Sequence, residues 1–274
     1  MITRVALGAI LLVGCGDDTG GGGGDGGPGD PDAPKPTKTG LVLLQSYTAE
    51  QPPGTMLRGG SASATFSSVM STCVGETVGD CLLADCVKNP PSPASAGTIT
   101  VTGASLPVSL VPRADKTYAA VAAMQQAFFT GGETVTFAGE GADVPAFTVS
   151  VVTPLKATIT MPVEPASTSP YLMLDRTYGF TARWTGGGSG EIQIFFSGGT
   201  GSNLFINCRF PASAGTGTIP AAVVGRLPAG QGSFAMSANA EAQVIAGDYG
   251  VIGSTYFNAV WPDGSIVSGP TMVQ

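Results

Sequence analysis

Four cysteines, Cys73, Cys81, Cys86 and Cys208, are the residues whose possible chemistry is easiest to state. Their number is even, so an oxidising compartment would pair them as disulfides. Three connectivities exist. The spacing favours Cys73 with Cys81 across a hairpin and Cys86 with Cys208 between distant parts of the chain. A four-thiolate zinc site is the competing use of the same residues, disfavoured by the remoteness of Cys208, and no metal ligand set is expected. The sequence contains no His, which removes the commonest general base and makes Ser-His-Asp and Cys-His nucleophile systems impossible. Gly186-Gly187-Gly188-Ser189-Gly190 has the look of a nucleophile elbow, but Glu191 stands where the final Gly belongs, so the segment reads as a turn. Asp175, Glu191 and Asp248 are the acids available for carboxylate-pair hydrolysis. Each sits near a turn, where a solvated or capping role suffices. Asp175, Arg176 and Arg183 could pair at a sheet edge, a weak structural role. No catalytic residue and no cofactor is expected.

Aromatic side chains offer a second kind of chemistry, stacking against a ligand with an apolar face and a polar rim. Trp261 and Tyr256 are the candidates for such a platform, with Tyr171 and Tyr249 behind them. Trp184 alternates with Phe180 and Ala182 and reads as core. Charge narrows the partners further. The net charge is −7, and five of the 19 acids (Asp17, Asp18, Asp25, Asp30, Asp32) precede residue 41. No cluster of Lys or Arg is present to neutralise a run of phosphates, so nucleic acid is not an expected partner.

The elements that must position these residues are strands. The chain is 43% hydrophobic and 11% charged, with 41 Gly and 21 Pro, and short β-branched runs lie between Gly and Pro signals. Strands are expected at 41–47, 61–69, 98–102, 107–111, 134–138, 147–152, 157–161, 178–184, 191–196, 204–210, 233–236, 242–246, 255–261 and 265–267. Trp261-Pro262-Asp263-Gly264 is a turn. Residues 219–227 hold one helical turn. Residues 118–129 read equally as a twelve-residue helix or two short strands. The fold class is all-β: two tandem β-sandwich modules, immunoglobulin-like, over 41–155 and 156–274.

Before residue 41 the chain changes character. Residues 1–14 read as a lipoprotein signal peptide, with Arg4 and an apolar stretch too short for a membrane-spanning helix, which needs about 20 residues. Leu12-Val13-Gly14-Cys15 resembles the lipobox of bacterial lipoproteins. That resemblance implies cleavage before Cys15 and its lipidation, an anchor that several acyl chains make durable. Residues 15–40, rich in Gly, Pro and Asp, form a disordered linker with a reach of about 25 to 30 Å.

A wider resemblance covers most of residues 60–230. The Cys73, Cys81 and Cys86 triplet, Gly131 to Phe137 running on to Val144–Phe147, Arg183-Trp184-Thr185-Gly186-Gly187, and Cys208-Arg209-Phe210-Pro211 followed by Gly217–Pro220 look like uncharacterised lipoproteins of myxobacteria. That family has no assigned activity. It implies a sandwich fold and a place in the cell envelope, at the outer membrane or cell surface rather than the inner membrane. The membrane is then a partner through the anchor, with an envelope protein or a polysaccharide as the other. A non-enzymatic structural or interaction role is the leading expectation, carbohydrate binding the second, carboxylate-based hydrolysis the third.

Overall fold

The computed structural model describes residues 36–51, 55–68, 73–86, 92–165, 170–199 and 202–274. The signal, Cys15 and most of the linker lie outside the described residues. Strands dominate, as the composition requires. In chain order they are β1 (Lys38–Gln51), β2 (Thr55–Ser67), β3 (Cys73–Val78), β4 (Cys81–Cys86), β5 (Ile99–Thr102), β6 (Val108–Leu110), β7 (Val121–Met124), β8 (Thr134–Gly139) and β9 (Phe147–Val152). They continue with β10 (Ala157–Met161), β11 (Leu172–Leu174), β12 (Phe180–Gly186), β13 (Glu191–Ser197), β14 (Leu204–Pro211) and β15 (Thr216–Ile219). A single helical turn, α1 (Ala221–Val224), precedes β16 (Gly230–Ala246), β17 (Tyr249–Asn258) and β18 (Ser268–Val273). No described helix is long and apolar enough to cross a membrane.

Among the described residues these strands form three sheets. The largest has eleven strands along the path β3-β4-β14-β13-β16-β17-β1-β2-β7, with β18 on β16 and β11 on β18. A four-stranded sheet, β6-β5-β8-β9, and a three-stranded sheet, β10-β12-β15, pack against it. Two cores result. The first lies under the four-stranded sheet and gathers Val42, Leu44, Phe66, Ile99, Phe137, Val149 and Phe257. The second lies under the three-stranded sheet and gathers Ile159, Trp184, Ile194, Ile206, Phe234 and Trp261.

Alternation explains the layers. In β9, Phe147, Val149 and Val151 point inward and Thr148, Ser150 and Val152 outward; in β13, Ile192, Ile194 and Phe196 are the buried set. Period two with one buried face is the pattern of a sheet packed on one side. Strand β16 is the spine shared by both cores. Its first part pairs with β13 and β18, its second part with β17, and its even-numbered residues face the second core as far as Ala238 and the first core from Ala240 onward.

The expected division at residue 155 falls between β9 and β10, near where the chain passes from one core to the other, but it does not divide the large sheet. Strand β1 pairs in parallel with β17, and β4 pairs with β14. Residues 118–129 form neither a long helix nor two strands; they supply the four-residue edge strand β7, paired with β2. The expected strands 233–236 and 242–246 are one continuous strand, and the helical turn falls within 219–227. The 261–264 turn closes with Gly264 N–H donating to the Trp261 carbonyl at 2.9 Å, and Gly264 has φ +91°, a conformation Gly adopts without strain.

The disulfide expectation is corrected. Cys81 bonds to Cys208, with Cα atoms 4.0 Å apart. The cause is register: β4 lies antiparallel on β14 with Cys81 directly opposite Cys208, while Val78, not Cys73, faces Cys81 across the β3-β4 hairpin. The same register sets the backbone of Cys73 opposite that of Cys86; their side chains lie outside what is described.

A tyrosine and amide face on the large sheet

One face of the large sheet carries both cores; the other carries a row pattern of polar side chains. Strands that cross over the sheet, β9 on β16 and β17, β6 on β2 and β15 on β14, do so from the core side. On the opposite face the register lines up Glu191, Asn239, Tyr256, Gln45 and Ser61 in one row across five strands. The adjacent row begins Arg209, Gln193, Ser237, Asn258, and Tyr47, next in the parallel register, continues it to Gly59.

The centre of this face is a two-by-two block. β1 supplies Gln45 and Tyr47, and β17 supplies Tyr256 and Asn258. Gln45 Nε2 donates to Asn258 Oδ1 at 2.8 Å along one diagonal, and Ser61 Oγ donates to Gln45 Oε1 at 2.9 Å, so the buried Gln45 amide is fixed at both ends. The tyrosines occupy the other diagonal, each half-buried. Tyr47 lies across β2 over Gly59, where an added methyl would collide with its ring. Burial raises the Tyr256 phenol above its ordinary value, so the hydroxyl stays protonated and able to donate.

Beside the block, Arg209 grips Glu241 with both terminal guanidinium nitrogens, at 2.6 and 3.1 Å. Glu241 Oε1 also accepts from Asn239 Nδ2 at 3.0 Å and from Ser254 Oγ at 3.2 Å. Glu191 lies 3.8 Å from the same Arg209 Nη1. Burial is the largest single influence on Glu241 and opposes its ionisation. The Arg209 charge and the hydrogen bonds from Arg209, Asn239 and Ser254 outweigh burial, holding the carboxyl below the usual range. A carboxyl held ionised is not poised as a general acid.

The sequence-derived candidates separate on this evidence. Trp261 is buried in the second core at 3% exposure, so it cannot stack on a ligand; the alternation that makes it apolar does not say which way it points. Tyr256 does lie on the polar face. Tyr249 is buried under Lys38, and Tyr171 accepts from Gln231. Trp184 is core, its Nε1 donating to the Ala212 carbonyl at 2.7 Å.

The three acids are not brought together as a set. Asp175 accepts from the N–H and hydroxyl of Thr177, a side-chain turn that holds its pKa low; Asp248 pairs with Lys38; Glu191 lies beside Arg209. The anticipated ion pairing of Asp175 and Arg176 gives way to that turn and to Arg176 donating to the Gly225 carbonyl at 2.9 Å. Among the described residues no cluster of His, Cys, Asp or Glu is placed to hold a metal ion. Gln45, Tyr47 and Asn258 were missed as site residues. The signal was available for two of them, since odd positions of a 41–47 strand share one face.

Fold and face together define an all-β protein with two cores on one side of a shared sheet and a hydrogen-bonded tyrosine and amide surface on the other. Neither a protein-family model nor a curated protein matches the sequence.

Proposed function

We propose that the protein is an exported, non-enzymatic lipoprotein of the cell envelope, anchored through Cys15 and working by contact through the outer face of its large sheet. The observation that carries this reading is the Cys81–Cys208 disulfide, because such cross-links persist outside the reducing cytosol. The lipobox-like segment supplies the anchor, and the linker expected over residues 15–40, which β1 shortens by starting at Lys38, supplies the tether that keeps the sheet clear of the bilayer. An outer-membrane or cell-surface position, affiliation with the myxobacterial-type lipoproteins, and immunoglobulin-like character of the two fused sandwiches belong to the same proposal.

A non-catalytic role is supported by how the acids are used. Asp115, Asp143, Asp175 and Asp263 each accept hydrogen bonds from nearby backbone or hydroxyl groups, and Glu241 is spent on Arg209. The test is the intact mass of the membrane-extracted chain, before and after reduction. A mass beginning at Cys15 plus acyl groups, lost from the membrane fraction in Cys15→Ser, is the expected result. An unacylated chain carrying Cys81 and Cys208 as free thiols would overturn the reading.

A further inference from the structure

We infer that the block of Gln45, Tyr47, Tyr256 and Asn258 binds a neutral polysaccharide laid across β1 and β17; this rests on the reading that the outer sheet face is the contact surface. Sugar rings have apolar C–H faces edged by hydroxyls, so a complementary site needs flat apolar groups with neutral donors and acceptors between them. The block has that form. Tyr47 reaches across β2 so that its hydroxyl end lies over Gly59, which braces a half-buried aromatic ring on this face. Tyr256 is one strand and two residues away, about 7 to 8 Å, so successive rings of a polymer can meet both tyrosines.

Between the tyrosines the Asn258 amide is half committed. Its Oδ1 accepts from Gln45, while among the described residues nothing accepts from its Nδ2 or from either tyrosine hydroxyl. The Asn258 amide is held by Gln45 before a ligand arrives, which lowers the ordering cost of binding. The charge pattern selects the class of polymer. Arg209, in the same sheet row as Asn258, has its charge met by Glu241 with Glu191 beside it, so no free cation is offered there to an anionic chain, and the remaining groups in both rows are amides and hydroxyls.

The test is affinity electrophoresis of the full-length chain in detergent through gels holding dextran, xylan or hydroxyethyl cellulose, with polygalacturonate as the charged counterpart. Retardation by at least one neutral polymer is expected, weakened about tenfold in Tyr47→Ala and in Tyr256→Ala and largely kept in Tyr256→Phe. Asn258→Asp keeps an acceptor for Gln45 but removes the free donor, and should weaken retardation similarly; it serves as the test if a Tyr→Ala chain does not fold. Retardation by polygalacturonate alone, by no neutral polymer, or unchanged in Tyr47→Ala, Tyr256→Ala and Asn258→Asp would overturn the inference. Mass measurement of the Cys15 anchor on the same sample separates the two proposals: an acylated chain without polysaccharide binding loses only this one.

Discussion

Glu133 illustrates how single polar residues lock the turns of this molecule. Its carboxylate accepts from the Thr130 N–H and hydroxyl, the Gly131 N–H and the Thr153 hydroxyl, tying the turn before β8 to the end of β9. Burial is the largest single influence and would raise its pKa. The hydrogen bonds together prevail and bring it from 4.5 down to about 2. A depressed folded-state pKa gives stability that is present above about pH 4.5 and lost as the pH falls toward 2. Glu133→Gln should therefore cost on the order of 1 kcal/mol at neutral pH once solvent screening of a partly open group is allowed for. Its thermal midpoint should converge on that of the parent as the pH is lowered through this window; a gap independent of pH would show that the charge is not what matters. Residues of this kind were only partly legible. Gly131-Gly132-Glu133 marks a turn in the sequence, but Thr153 as the partner depends on the β8-β9 register. Tyr256 could be selected as an aromatic, whereas its pairing with Gln45 and Tyr47 needs a neighbour from the far end of the chain.

At the scale of elements, the β3-β4 hairpin is held to the second core by pairing with β14 and by the Cys81–Cys208 bond, 127 residues apart in sequence. Cys81 and Leu83 are buried in that core. Replacing both cysteines, Cys81→Ala with Cys208→Ala, should lower stability by about 4 kcal/mol through the long loop the bond closes, and should open residues 73–86 to limited proteolysis. A denaturation midpoint equal to the parent's would mean that sheet pairing alone suffices. Strand β9, with clean alternation, and β10, whose pattern breaks only at Met161, match the bounds expected from the sequence. Between Cys73 and Cys81 a hairpin is expected from the spacing, but its strands β3 and β4 are not, because Gly75 interrupts the pattern and the apolar content is short. Strand β16 was read as two because Ser237, Asn239 and Glu241 interrupt its apolar run; these residues face the polar side while Ala238 and Ala240 stay on the core side, so the backbone continues where the hydrophobicity falters.

Across the whole molecule, two cores would ordinarily suggest two units able to fold alone. The sheet argues otherwise here. Val42 and Leu44 of β1 are buried beside Val251 and Phe257 of β17, while Leu83 of β4 is buried with Ile206 of β14. Chains 36–155 and 156–274 expressed separately should each lack cooperative unfolding, and calorimetry of the full chain should give one transition. Two separate transitions would show that the cores are independent despite the shared strands. No local pattern could have announced this arrangement, since the period of a strand reports its buried face but not its neighbour.

The parallel seam between β1 and β17 joins residues as distant as Lys38 and Asp248, 210 positions apart. A copy cut short before residue 249 would hold its first strand without the neighbour that completes it, leaving Val42 and Leu44 at a raw edge open to aggregation or proteolysis. The fold thus makes early residues wait on late ones: the core under the four-stranded sheet closes only when β17 has been laid beside β1.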